Sequence, residues 1–168
     1  MILDKDYFER PANILAPDLI GKYLCRRTSE GIIRARIVET ECYFGEENTA
    51  CHAHKGKTER TKVMYEAGGI TYVYLCYGIH SLLNIVTGPK DHPEAVLIRG
   101  VEGAVGPGRA TKYMQITTAD NALPLCEESG IWIEDNDEKA LKITRTARIG
   151  IDYASKRDRE RKWRFAAK

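Results

Sequence analysis

The sequence contains no apolar run of about 18 residues, which is the length that a membrane-spanning helix needs. Its N-terminus, Met-Ile-Leu-Asp-Lys-Asp, lacks the apolar stretch of a signal peptide. The five cysteines are odd in number and include no Cys-x-x-Cys pair, which argues against a disulfide framework. These absences predict a cytoplasmic protein with reduced thiols and no membrane partner.

Familiar catalytic and metal-binding motifs are missing as well. There is no Gly-x-Ser-x-Gly elbow of a serine hydrolase, and the Gly-Pro-Gly run at 106–108 is not a phosphate-binding Walker loop. The segment Cys51-His-Ala-His contains residue types that bind zinc, but its spacing matches no common zinc motif. We therefore expect no metal and no other cofactor. A metal-dependent nucleic-acid hydrolase that uses Cys51, His52 and His54 is the alternative.

Charge is unevenly distributed along a chain whose 168 residues fit one domain, 1–168. The formal net charge is only +2, but Lys156–Lys168 holds seven Lys or Arg residues. Glu127–Glu138, in contrast, holds six acidic residues and no basic one. Segregated charge of this kind is compatible with a phosphate-binding face and also with an ordinary solvated surface.

Strand-like segments follow one another without regular helical crossovers. This order predicts a mostly antiparallel α+β domain. The predicted elements, in chain order, are a helix over 11–24, a strand over 34–44, a long polar loop over 45–67, a hairpin over 71–84, a strand over 95–101, a helix over 109–114, and strands over 131–134 and 143–149.

The first predicted strand carries two glutamates in an unusual position. Ile33 and Ile37 alternate with arginines in the period-2 pattern of a half-buried strand. Carrying the same phase forward places Glu39, Glu41 and Tyr43 on the face that these isoleucines bury. Buried carboxylates are costly unless they are paired, hydrogen-bonded or used in chemistry. The alternative is a strand that leaves the sheet before Glu39, with both carboxylates in solvent.

The predicted hairpin is rich in tyrosine. Tyr72 and Tyr74 share one face of its first strand, and Tyr77 lies at or beside its tip, where a large aromatic side chain could act as a wedge in a base stack. A carboxylate beside such an aromatic cluster suits chemistry on a base extruded from DNA, because the carboxylate activates water while the aromatic rings stack the base. A non-catalytic DNA-bending protein with Tyr77 as its wedge is a second alternative.

A series of motifs then makes a family resemblance specific. In chain order the motifs are Arg36-Ile-Val-Glu-Thr-Glu-Cys-Tyr, Cys51-His-Ala-His-Lys-Gly-Lys-Thr, Tyr72-Val-Tyr-Leu-Cys-Tyr-Gly-Ile-His, Asn84-Ile-Val-Thr, Val96-Leu-Ile-Arg, Gly106-Pro-Gly-Arg and Ala147-Arg-Ile-Gly. Over nearly the whole chain, this series resembles the alkyladenine (3-methyladenine) DNA glycosylase family.

The resemblance implies a monofunctional base excision repair hydrolase that releases alkylated or deaminated purines, such as 3-methyladenine and hypoxanthine, from double-stranded DNA. It implies a single compact α+β domain, with flanking helices around a curved, mostly antiparallel sheet and a hairpin that inserts into the minor groove. It also implies a cofactor-free monomer that works in the cytoplasm on the nucleoid.

The resemblance also implies a role for each matching residue. Glu41 activates the hydrolytic water, which Arg99 and the main-chain carbonyl of Ile149 help to hold; Tyr43, His52 and Tyr74 form the walls of the base pocket; Asn84 excludes the exocyclic amine of guanine; and Tyr77 intercalates where the base has left.

The chain departs from the family pattern in three places. Only Gly100–Val105 remains where family members usually carry a longer insert, so the resemblance does not extend to DNA contacts or substrate discrimination carried by that insert. Cys42 replaces a small alanine, a modest change in volume. Arg109 stands where a lysine is common, which keeps the positive charge.

Overall fold

The sheet is built around its longest strand, Gly31–Phe44. The computed structural model describes all 168 residues, in nine strands and four α-helices. The strands are β1 (Tyr23–Thr28), β2 (Gly31–Phe44), β3 (Thr71–Cys76), β4 (His80–Thr87), β5 (Glu94–Val101), β6 (Ala104–Val105), β7 (Ile131–Glu134), β8 (Ile143–Thr146) and β9 (Arg164–Ala167). The α-helices are α1 (Lys5–Phe8), α2 (Ala12–Asp18), α3 (Pro107–Met114) and α4 (Lys156–Glu160), and 3₁₀ turns cover His52–Lys55, Lys62–Tyr65 and Thr118–Asp120.

All strand pairs are antiparallel, which confirms the predicted α+β class. The order across the sheet is β3-β4-β5-β2-β1-β7, and the antiparallel pair of β8 and β9 joins β2 through β9. The second half of β2 pairs with β5 on one edge, while β1 and then β9 follow each other along the opposite edge. Three strands therefore meet β2, and its second half lies in the middle of the sheet.

Two of the three hydrophobic clusters, of 24 and 8 buried residues, supply most of the core. The larger contains side chains of α1, α2 and α3, such as Phe8, Leu15 and Met114. The smaller lies under the 45–67 segment and includes Met64 and Tyr72. None of the helices has the length and apolar character that crossing a membrane requires.

The helix predicted over 11–24 is wrong in its second half. The observed helix α2 ends at Asp18, and β1 begins at Tyr23. Leu19 and Tyr23 have the four-residue spacing of a helix, which misled the prediction. Gly21 between them has φ of 94°, a conformation that glycine adopts easily and that ends the helical run.

The predicted phase of β2 is also wrong, because the strand is irregular at its centre. The register between β2 and β5 shifts on both sides of Glu39. Such a bulge breaks the alternation of faces. Consequently Ile37 and Cys42 lie in the same hydrophobic core, and the hydroxyl of Thr40 bonds to α2.

The two glutamates and Tyr43 therefore do not share the face that Ile33 and Ile37 bury. They lie on the other side of the sheet, where the carboxylates of Glu39 and Glu41 both approach the same arginine. The prediction that both carboxylates point inward is nevertheless confirmed, because both are buried.

The remaining predicted elements are confirmed with small changes of boundary. The hairpin corresponds to β3 and β4, the strand over 95–101 lies in β5, the helix over 109–114 in α3 and the strand over 131–134 in β7. The strand predicted over 143–149 ends at Thr146, and β9 was not predicted. Glu102 and Gly103 alone connect β5 to β6, which pairs back on it, so the short segment at 100–105 folds as a tight turn.

The placement of Thr40 on the core face can be tested by its stability effect. Its buried hydroxyl donates a 2.7 Å hydrogen bond to the carbonyl of Ala16 in α2. Thr40→Val keeps the shape but leaves that carbonyl without this partner, so we expect the free energy of unfolding in urea to fall by about 1–3 kcal/mol. Thr144→Val removes a partly exposed hydroxyl that donates to Ala166 and should cost less than about 0.5 kcal/mol. Equal effects would contradict the bulge.

Candidate active site

A cavity of about 1030 Å³ opens on the face of the sheet that carries Glu41. Its wall comes from β2, β5, the β3–β4 hairpin, the 45–67 segment, α3 with the residues just before it, and the segment at 149–153. The eight predicted site residues all line it: Glu41, Tyr43, His52, Tyr74, Tyr77, Asn84, Arg99 and Ile149. The fold thus brings together residues that are widely separated along the chain.

Glu41 is the only carboxylate in the cavity wall, and its side chain is fully buried. Its Oε2 accepts a 2.8 Å hydrogen bond from the N–H of Ile149, and its Oε1 accepts one of 2.9 Å from the Tyr43 hydroxyl. Nη1 of Arg99 lies 3.9 Å from Oε1. The contact that Ile149 makes with this carboxylate is therefore through its N–H, whereas its carbonyl was the predicted partner of the water.

Burial raises the pKa of Glu41 above its ordinary value of 4.5. Four groups oppose that rise by stabilising the anion, in decreasing order Arg99, the N–H of Ile149, the Tyr43 hydroxyl and Arg148. Because burial outweighs them, the ionised carboxylate binds a proton more readily than a glutamate in water. Such a group suits a general base that must take a proton from water near neutral pH.

Arg99 is shared between two carboxylates. Its Nε lies 3.2 Å from Oε1 of Glu39, which is closer than its nearest approach to Glu41. Nε of Arg164, on β9, donates to the same oxygen of Glu39. Neither Glu39 nor Arg164 lines the cavity. Sequence reasoning missed Arg164, since its partner is 125 residues away and its own segment reads as a basic surface.

Aromatic rings form one wall of the cavity. The centroids of His52 and Tyr74 are 4.6 Å apart, and those of Tyr72 and Tyr74 are 5.3 Å apart. Nδ1 of His52 lies 3.1 Å from the Tyr72 hydroxyl. Burial, with a smaller contribution from Arg60, lowers the pKa of His52 to about 4, so the imidazole is neutral at pH 7.

Two arginines that the sequence did not single out lie against these tyrosines. The guanidinium of Arg60 is 4.8 Å from the centroid of Tyr74 and lines the cavity. The buried guanidinium of Arg148 is 5.1 Å from the centroid of Tyr43 and donates a 2.9 Å hydrogen bond to the carbonyl of Cys42. Arg148 therefore holds Tyr43 from outside the cavity, beside the carboxylate that Tyr43 contacts.

The β3–β4 turn projects a tyrosine into solvent. Tyr77 is 91% exposed, and it has φ of 53°, followed by 69° at Gly78. Two successive positive φ angles are typical of the tight turns that close hairpins. Ile79 beside it is also exposed. The tip is thus an apolar protrusion at the cavity mouth.

Asn84 is fixed in the cavity wall by its own amide. Its side chain is buried, and Nδ2 donates a 3.2 Å hydrogen bond to the carbonyl of Tyr72, its partner across the hairpin. Rotation of the amide would break that bond. The side chain therefore takes up a constant part of the cavity.

Part of the cavity rim is basic. Arg109 and Lys112, on α3, are exposed, line the cavity and form no ion pair. Unpaired cations beside a cavity suit a partner with a phosphate backbone.

The residues of the alternative metal cluster do not converge. Nδ1 of His52 contacts the Tyr72 hydroxyl, while Nδ1 of His54 contacts the carbonyl of Glu46 at 2.8 Å. Nowhere in the chain are three His, Cys, Asp or Glu side chains grouped as a metal site would need. The metal-dependent alternative therefore lacks a ligand set.

Comparison with known proteins points to one family. The family model described as "Methylpurine-DNA glycosylase (MPG)" matches residues 6–105 and 102–168. A relative from Psychrobacter cryohalolentis is 42% identical over 91% of this chain and 86% of its own. One from Bdellovibrio bacteriovorus is 43% identical over 92% and 89%, and one from Methanocella arvoryzae is 41% identical over 98% and 91%. All three are provisionally named 3-methyladenine DNA glycosylases. The two matched segments overlap at 102–105, which contains the tight β5–β6 turn.

The raised pKa of Glu41 predicts a stability difference that depends on pH. Wild type binds the Glu41 proton more tightly when folded, so its free energy of unfolding falls as pH rises through the folded-state pKa. Glu41→Gln does not titrate there, and we expect it to be more stable than wild type at pH 8, by an amount that shrinks as the pH falls through the folded-state pKa toward 4.5. Urea unfolding across this range measures it, with the exposed Glu47→Gln as control. A less stable Glu41→Gln at pH 8 would contradict the raised pKa.

Proposed function

The chain belongs to the methylpurine-DNA glycosylase family, and we propose that it releases alkylated and deaminated purines, including 3-methyladenine and hypoxanthine, from double-stranded DNA. It is a base excision repair glycosylase, a hydrolase that cleaves the N-glycosidic bond between base and sugar. One observation carries the proposed mechanism: the buried carboxylate of Glu41 stands in the wall of an aromatic cavity, hydrogen-bonded to Ile149 and Tyr43.

Glu41 is the proposed general base. Water attacks C1′ of the sugar as the bond to the purine nitrogen breaks, and the water proton passes to the carboxylate. The purine leaves with the bonding electrons, and the strand keeps an abasic sugar. As an anion, Glu41 also stabilises the positive charge that develops on the sugar. Arg99 and the main-chain carbonyl of Ile149 would help to hold the water.

The aromatic wall is the proposed site of the extruded base. Tyr43, His52 and Tyr74 present flat surfaces on which a purine stacks, and stacked aromatic pairs contribute about 0.5–1.5 kcal/mol each beyond the area that they bury. The neutral imidazole of His52 adds no repulsion against an alkylated purine that carries a positive charge. Tyrosine faces favour such a cation by about 1–2 kcal/mol where water is excluded.

The hairpin tip and the basic rim form the proposed DNA interface. Tyr77 would enter the stack from the minor groove and fill the space of the flipped nucleotide, which offsets part of the few kcal/mol that flipping costs. Arg109 and Lys112 line the same cavity, where phosphates of the same strand could be bound. The enzyme needs no amine nucleophile in this scheme, so it is monofunctional.

Replacing the proposed base tests the mechanism directly. Glu41→Gln keeps the shape of the side chain but cannot take a proton, so we expect single-turnover release of hypoxanthine from a duplex to fall by about 10²–10⁴-fold. Binding of the same duplex, measured by fluorescence anisotropy, should persist. Glu94→Gln removes another buried carboxylate, one that caps α2 outside the cavity, and should excise normally. Normal excision by the Glu41 variant would refute its role, and no excision by wild type on any lesion would favour the DNA-bending alternative.

Asn84 is the proposed gate against guanine. Its fixed amide would crowd the position where guanine bears an amino group and adenine or hypoxanthine bears hydrogen. We expect Asn84→Ala to raise excision of guanine relative to hypoxanthine by about ten- to two-hundredfold, the range that one such clash supplies. Excision rates on matched duplexes measure the ratio.

The control for this gate is Asn121→Ala. Asn121 also bonds to the hairpin, through the N–H of Val73, but it does not line the cavity. This control should leave the ratio unchanged. If a folded Asn84→Ala protein also keeps the wild-type ratio, Asn84 has only a structural role.

A further inference from the structure

Four side chains of alternating charge form a line through the middle of the sheet. The line runs from Arg164 on β9 to Glu39 on β2, then to Arg99 on β5 and to Glu41 on β2. Strand pairing explains the arrangement: the backbone of Arg164 is directly opposite Glu41, so its side chain reaches diagonally to Glu39 on the same face.

The first two members of this line do not meet the substrate. Neither Glu39 nor Arg164 lines the cavity, whereas Arg99 and Glu41 both do. Glu39 is buried, and an unpaired carboxylate there would be costly. It therefore demands cationic partners, and two arginines approach its Oε1.

We propose that Arg164 and Glu39 are positioning residues, which hold Arg99 between two carboxylates and so determine how much of its positive charge reaches Glu41. The inference rests on the proposed function, because it takes Glu41 as the general base. Arg164 neutralises much of Glu39, so Arg99 is not drawn fully onto Glu39 and its Nη1 remains 3.9 Å from Glu41. Glu39 in turn keeps Arg99 from forming a close ion pair with Glu41, which would weaken that carboxylate as a base.

The other groups that influence the pKa of Glu41 are unchanged by substitutions at Arg164 and Glu39. The N–H of Ile149 and the Tyr43 hydroxyl bond to its oxygens, Arg148 is the remaining nearby cation, and Tyr153 faces the site from the 149–153 segment. Arg99 opposes the burial-induced rise in the pKa of Glu41 more than any of them. A change in the position of Arg99 should therefore be visible in the titration of Glu41.

Substitutions of Arg164 and of Glu39 should shift the pKa of Glu41 in opposite directions. In Arg164→Met, Arg99 becomes the sole cation for Glu39 and moves away from Glu41, so the pKa of Glu41 should rise. In Glu39→Gln, Arg99 is released toward Glu41, so that pKa should fall. A purely structural role for either residue would lower stability without producing opposite shifts.

The experiment is a titration of the Glu41 carboxyl by NMR in protein labelled with ¹³C at glutamate side chains. The signal is assigned by its absence in Glu41→Gln, and each variant is first checked by urea unfolding. Arg145→Met is the matched control, because Arg145 lies on β8 beside β9, stacks on Phe165 and forms no ion pair. It should leave the titration unchanged.

Two further variants test whether Arg164 changes the pKa of Glu41 through its charge and through Arg99. Arg164→Lys keeps the charge and should return the titration most of the way to wild type; it also serves if Arg164→Met does not fold. In an Arg99→Met background, the shift caused by the Arg164 substitution should fall to less than half. A shift that persists in full there would show direct action of Arg164 on Glu41 and overturn the proposal, as would shifts of the same sign in Arg164→Met and Glu39→Gln.

Excision kinetics give a second readout. The acid limb of the single-turnover rate on a hypoxanthine duplex should move to higher pH in Arg164→Met and to lower pH in Glu39→Gln. If wild type excised no base, the proposed function would fail, yet the NMR titration would still decide the positioning role. If wild type excises and neither profile moves, only the positioning role is wrong.

Discussion

Neutralising two carboxylates inside a β-sheet is the constraint on which the rest of this structure depends. A buried carboxylate without partners is too costly to keep ionised, so Glu39 and Glu41 require donors and cations from neighbouring elements. β5 supplies Arg99, β9 supplies Arg164 and the segment after β8 supplies the N–H of Ile149. The sheet holds these elements together around β2, and the bulge at Glu39 separates the charged face from the hydrophobic core.

Much of this arrangement can be predicted from the sequence, because its signals are local. Alternating residues define the first half of β2, a continuous apolar run defines β5, and the glycine after Tyr77 marks the hairpin turn. Glu41 and Tyr43 lie on β2, and Tyr72, Tyr74 and Tyr77 lie on the hairpin. Their roles, in contrast, come from the family resemblance, since residue type and spacing alone do not distinguish a base from a buried structural glutamate.

The features that the sequence did not predict are determined by contacts between distant segments of the chain. The bulge in β2 arises from pairing with β5, and a pattern read along β2 alone continues the wrong phase through Glu39. β1 was missed because Leu19 and Tyr23 imitate helical spacing across a glycine. β9 was missed because it is a short strand in a basic segment, and its pairing with β2 and the contact of Arg164 with Glu39 are not visible in the local sequence.

The long sequence separation within the charge line has a consequence for protein synthesis. Arg164 is made 125 residues after Glu39, and the N–H that binds Glu41 comes 108 residues after it. A nascent chain that has already formed the hairpin and β5 still holds Glu39 with only one of its two arginines. The β3–β4 hairpin and β5 can thus form on the ribosome before either buried carboxylate has all its partners, and Glu39 acquires its second arginine only after β9 is translated.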